Sequence, residues 1–262
     1  MDRTELSPPP KITSGTGHRA WVKSTHWIGT VSFFLLVFSG FVILMAHPRL
    51  YWGEVGNDLT PALFELPISK NYQHGGWEKS SPFFNYAGSP VSSSRTFNIF
   101  NQNGWGRSLH FLSAWLLVFT GTIYLIFGVF SGHFRRNLFP NGREFSWKVF
   151  AADIAAHFRM NVLSVVYGPQ YGLLQKLTYL GVLFFLLPVI VLTGLTMSPA
   201  VTAAYPFLLK VFFGAQSART IHFFATTLLV IFLLVHVVMI IRTGFKEHIR
   251  AMTFGKISIK KS

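Results

Sequence analysis

The 262-residue chain contains no cysteine. That absence excludes disulfides, thiolate metal ligands, cysteine-held iron–sulfur clusters and covalent haem attachment through C-x-x-C-H. Charge is scarce as well. Asp, Glu, Lys and Arg make up 12% of residues, about half the ~25% usual in soluble domains. Acidic side chains are the scarcest, nine against 23 Lys and Arg, and they fall outside the long apolar runs. With 50% of residues hydrophobic and 28 of them Phe, this is the composition of a membrane protein. The net charge of +14 does not point to nucleic acid, because the basic residues gather in loops and tails, where they set membrane topology. No P-loop and no H-E-x-x-H run is present, so the chain carries no constellation of its own for substrate chemistry.

What the sequence does contain is four apolar runs, at about 24–46, 108–130, 173–197 and 219–242. Each is long enough to cross a bilayer as a helix. They predict an all-α fold, an integral membrane four-helix bundle forming one membrane domain over 1–262. Pro188 lies inside the third run and predicts a kink there. The first run is longer than the ~7–15-residue core of a cleaved signal peptide, which predicts an uncleaved anchor. Two connections are long, 47–107 (rich in Gly, Pro, Ser and Asn) and 131–172, whereas 198–218 is short. The N-terminal tail, 131–176 and the C-terminal tail hold 16 of the Lys and Arg residues, and the remaining segments hold 7. The positive-inside rule then places both termini and the second loop in the cytoplasm and 47–107 outside a bacterial inner membrane. In the second loop Trp147, Phe150, Ile154 and Phe158 recur at helical spacing, predicting an amphipathic interfacial helix over about 146–160.

The fourth run, "RTIHFFATTLLVIFLLVHVVMIIR", carries His222 and His236. Lipid cannot satisfy an imidazole, so intramembrane histidines are rare and functional. Fourteen helical residues leave two side chains roughly 40° apart on one face and separated by about 21 Å in depth. Two more of the ten histidines, His26 and His110, lie in the first and second runs. Helix polarity matches their depths in pairs, His26 with His236 near the inner surface and His110 with His222 near the outer one. Two facing imidazoles at one depth are the axial ligand set of a six-coordinate b haem, so the four histidines predict two stacked haem b groups. Lys23, Arg107 and Arg219 each precede one of these histidines by three residues, in "KSTH", "RSLH" and "RTIH". They are candidate partners for haem propionates, with interfacial snorkelling the plainer alternative. Gly40 and Gly121 lie nearly in phase with His26 and His110, offering room for a macrocycle or for close helix packing. His47 and His133 stand at the far ends of the first two runs as substitute ligands. His18, His74, His157 and His248 read as loop or interfacial residues.

"KSTHW", "RSLHF", "LTGLTMSP" and "SARTIHF…HVVM" together resemble the bacterial cytochrome b561 and nickel–iron hydrogenase b-type subunit family. They are most similar to thiosulfate reductase cytochrome b and formate dehydrogenase gamma subunits, over about residues 18–250. The resemblance implies that His26 and His236 ligate an inner haem and that His110 and His222 ligate an outer one. It also implies a membrane anchor relaying electrons between the quinone pool and a periplasmic catalytic subunit, in some relatives a molybdopterin enzyme. On that reading the chain is an electron-transfer subunit in contact with lipid and quinone, not the substrate-converting one. Two alternatives remain: a stand-alone cytochrome b561-type quinone oxidoreductase, separated by co-purification of a soluble subunit, and a haem-free transporter or anchor with a histidine proton relay. Transporters place polar groups near the midplane and are often built from repeats. Here the histidines flank the midplane and no repeat is apparent. Trp27 and the cytoplasmic ends of the first and fourth helices are the region to search for quinone.

Overall fold

The computed structural model describes residues 19–57, 60–69, 103–140, 147, 150–151, 154–155 and 173–254. Four helices are long and apolar enough to span a bilayer, Ala20–Ala46, Gly104–Phe130, Leu173–Thr196 and Ala215–Arg242. The protein is a multi-pass integral membrane protein with an all-α bundle. In chain order the elements are α1 (Ala20–Ala46), β1 (Arg49–Leu50), β2 (Phe64–Glu65), α2 (Asn103–Phe130) and α3 (His133–Asn137). They continue with α4 (Leu173–Thr196), α5 (Pro199–Ala204), α6 (Phe207–Val211) and α7 (Ala215–Thr253). Trp147, Phe150, Ala151, Ile154 and Ala155 are helical, while the rest of the expected 146–160 helix lies outside the described residues, as do His18, His74 and His157.

Three spans begin four or five residues before the apolar runs do. The added turns carry Lys23 and Arg107 and lead into Arg219, so the helical hydrogen-bond ladder extends past the hydrocarbon into the polar interface. Within the spans hydroxyls bond to carbonyls one turn back, as in Ser32 to Ile28 (2.8 Å), Thr122 to Val118 (2.8 Å) and Thr196 to Leu192 (2.8 Å). Such back-bonding satisfies a polar group that lipid cannot. Leu112, Trp115 and Phe119 share one exposed face of α2, as a lipid-facing surface requires.

Just before Pro188, Val182–Leu186 forms a π-helical turn, and the Leu187 N–H bonds to Val182 O, five residues back. Proline cannot donate to the carbonyl four residues before it and its ring crowds that carbonyl, and the wider turn absorbs the mismatch. α7 runs beyond the membrane and bends at Gly244 (φ 116°, ψ 80°), where a left-handed backbone favours glycine.

Close backbone approach is concentrated within the pairs α1–α2 and α4–α7, and approaches between these two hairpins are few. The densest core lies at one end, where β1, β2, α5 and α6 sit (the loop end). Val42, Met45, Ala46, Leu50, Tyr51, Ala218 and Thr220 are buried there. A strap over 47–57 is clasped to the start of α7. Gly53 O accepts from Gln216 N (3.0 Å) and Ser217 N (3.2 Å), Gly53 N donates to Ser217 Oγ (2.6 Å), and Thr220 Oγ1 donates to Tyr51 O (2.6 Å). Orphan donors at the helix N-terminus are thereby satisfied. The opposite end, which holds Ala20 and Thr253, is the tail end. There Trp27 Nε1 donates to Met252 O (3.1 Å) and Lys23 Nζ to Thr253 O (3.4 Å), tying the first turns of α1 to the segment beyond Gly244.

Candidate functional site

At the loop end the structure brings His110 of α2 and His222 of α7 face to face across the gap between the two hairpins, with ring centres 6.2 Å apart and planes at 58°. A hydroxyl on the neighbouring helix holds each ring from behind. Ser39 Oγ of α1 lies 3.0 Å from His110 Nδ1, and Thr193 Oγ1 of α4 lies 3.0 Å from His222 Nδ1. Both hydroxyl protons are already committed, Ser39 to Leu35 O (2.6 Å) and Thr193 to Val189 O (2.7 Å). With the hydroxyl proton on its own helix carbonyl, each oxygen is placed to accept an Nδ1–H, the tautomer that leaves the Nε2 lone pair available to a ligand. Ser39 and Thr193 are both fully buried.

Glycine completes each contact. A Cβ at Gly40 would stand 3.5 Å from His110 Cε1, and one at Gly194 would stand 3.5 Å from His222 Cε1. Gly40 thus lies against an imidazole. Gly121 has open space around it. One turn deeper than His110, the Ser113 hydroxyl is buried without a hydrogen-bond partner.

This arrangement fits a metal held between two imidazoles. A first-row metal about 2.0–2.1 Å from one nitrogen of each ring sets the ring centres roughly 6 Å apart, and the observed spacing is 6.2 Å. Among the described residues no three His, Cys, Asp or Glu side chains converge as a metal-ligand group. Residues 17–255 match the prokaryotic cytochrome b561 family.

The chain belongs to that family. A cytochrome b561 is a membrane electron-transfer protein that binds b-type haem, and His110 and His222 have the geometry such a group needs. A relative from Azospira oryzae, named "Putative protein-methionine-sulfoxide reductase subunit YedZ1", is 30% identical over 223 residues, covering 85% of this chain and 89% of its own length. No solved structure matches.

The other histidines occupy different surroundings. His236 is flanked by Tyr179 (ring centres 6.4 Å apart) and Phe232 (5.8 Å, nearly parallel). His26 is exposed and meets Trp27 edge-on at 5.4 Å. Both stand at the tail end. His133 bonds to Asn137 (Nδ1 to Nδ2, 2.8 Å) and packs on Trp21 and Tyr124. The His47 carbonyl accepts from the Arg219 guanidinium. Arg107 is exposed, while Lys23 reaches Thr253 as described above.

Sequence reasoning passed over Ser39, Thr193 and Gly194, although a signal was present. "LVFSGF" (36–41) and "IVLTGL" (190–195) correspond, as do "RSLHF" (107–111) and "RTIHF" (219–223). Each hairpin supplies a hydroxyl–glycine pair on its first helix and a histidine on its second, a short repeat where none was apparent. Between α4 and α7 an open apolar groove of about 480 Å³, lined by Gly181, Phe185, Leu228 and Phe232 among others, lies on the tail-end side of this site. The groove, too, gave no advance sign in the sequence.

Proposed function

We propose that the chain is a dihaem b-type cytochrome, the membrane-anchor subunit that relays electrons between the quinone pool and a periplasmic oxidoreductase. The paired imidazoles of His110 and His222, each with a buried hydroxyl 3.0 Å from Nδ1, carry this reading. His110 and His222 would hold the outer haem and His26 and His236 the inner one. Haem b supplies reversible one-electron chemistry at its iron. The residues of this chain bind and orient it. Arg107 and Arg219 stand one turn nearer the loop-end surface than the outer pair, and Lys23 one turn nearer the tail-end surface than His26. These cations are suited to meet propionates.

The partner reading is supported by the Azospira relative, whose name makes it a reductase subunit. Electrons would then flow from quinol toward a reductase docked at the loop end, with a molybdopterin enzyme the class suggested by the family resemblance. The apolar groove beside Phe232 and the tail-end region of Trp27 are where quinol would approach from the bilayer. The excess of Lys and Arg in both tails and 131–176 supports an inner-membrane orientation with both termini cytoplasmic.

The deciding experiment is a pyridine haemochrome assay of the detergent-purified protein with a quinol-reduced spectrum. Two b haems per chain that quinol reduces are expected. One haem would overturn one of the two pairs, and none, in folded protein from haem-replete cells, would overturn the reading.

A further inference from the structure

We infer that Ser39 and Thr193 are positioning residues that fix the tautomer of both outer imidazoles and set the reduction potential of the centre they hold. The inference rests on the proposed assignment of His110 and His222 as axial ligands. Its content is separate, because neither hydroxyl would touch the haem.

The two contacts are matched in every feature that matters. Each joins the first helix of a hairpin to the second, at the same 3.0 Å from Nδ1. A membrane-buried Ser or Thr ordinarily needs only its own carbonyl one turn back, and both already have it. The imidazole contact is therefore additional to what burial demands. A hydroxyl that donates is polarised into a better acceptor. It draws on the Nδ1–H, raises the basicity of Nε2 and stabilises the ferric over the ferrous ligand field. A neutral hydroxyl does this more weakly than a carboxylate would, so the pair keeps the centre at an intermediate potential.

The test replaces the acceptors with apolar groups of similar size, Ser39→Ala, Thr193→Val and the double variant, with Thr193→Ser as the hydroxyl-retaining control. Each full-length protein is purified, its haem per chain is counted, and its midpoints and low-spin ferric EPR signals are recorded. We expect two haems to be retained and one midpoint to rise, with its EPR signal shifted and the other centre unchanged. At fixed ambient potential the reduced-to-oxidised ratio should increase about threefold in each single variant and about tenfold in the double, the latter corresponding to ~59 mV for a one-electron couple. Thr193→Ser should behave as wild type. Unmoved midpoints in a double variant that keeps both haems would overturn the inference. If Thr193→Val instead loses a haem, retention in Thr193→Ser supports the positioning role and loss in both overturns it. A wild-type protein with fewer than two haems, or a His110→Ala variant that keeps the responsive centre, would sink the ligand assignment instead.

Discussion

At the residue scale the chemistry rests on few side chains. Replacing His110 or His222 with alanine removes one of two proposed axial ligands and should lower haem content from two per chain to one. The outer EPR signal should vanish while the other persists. His26→Ala and His236→Ala should do the converse, and equal loss of both signals in all four variants would show that the pairs are not separate sites. The two loop-end arginines divide differently. Arg107 is exposed, so Arg107→Ala should shift the outer midpoint with little change in stability. Arg219 also donates to the His47 carbonyl, and hydrogen bonds from charged groups are worth about 1.5–3 kcal/mol. Arg219→Ala should therefore lower the thermal midpoint in detergent as well. The motif "R-x-x-H" marks both arginines alike. Only the fold separates a cation that is free to meet a ligand from one that also closes a strap.

At the element scale, the spans were legible because a bilayer demands an apolar length that few other environments ask for. The approach of His110 to His222 was legible because the helix period is fixed. The hydroxyl contacts were not, since Ser and Thr are common in membrane helices and bond to their own backbone. Ser39 and Thr193 look no different from Ser32 or Thr196 until α1 and α4 are laid against their neighbours. Pro188 marked a break in the α-helical ladder, which takes the form of a π turn over Val182–Leu186. The apolar groove that this turn borders invites a direct trial. A Cβ at Gly181 meets nothing within 4 Å, so Gly181→Leu should fold and fill that space. The quinol KM is expected to rise several-fold with haem content unchanged, and an unchanged KM would remove the groove from the quinol path. Gly244, with its φ of 116°, makes the opposite case. A side chain there costs ~1–2 kcal/mol, so Gly244→Ala should free 245–253 from Trp27 and Lys23, detectable as faster proteolysis at the tail end.

At the scale of the whole molecule, two helical hairpins make their closest approaches within themselves rather than to each other. The absence of cysteine makes the orientation simple to measure, because any introduced thiol is unique. A Cys at position 57 should react with a membrane-impermeant maleimide in intact cells, and one at position 262 only after permeabilisation. The reverse pattern would invert the proposed topology and move the partner to the other face of the membrane. How the bundle is assembled follows from the strap. Its anchor at Gly53 and the helix turn that receives it are 164 residues apart in the chain. At synthesis rates of about 5–20 residues per second, the strap emerges roughly ten to thirty seconds before its partner. Until the last helix is inserted the loop end has no floor, and His110 has no opposite number. Assembly is therefore ordered: His110 meets His222 only after α7 has been inserted, so the loop-end pair joins helices that are made far apart in time.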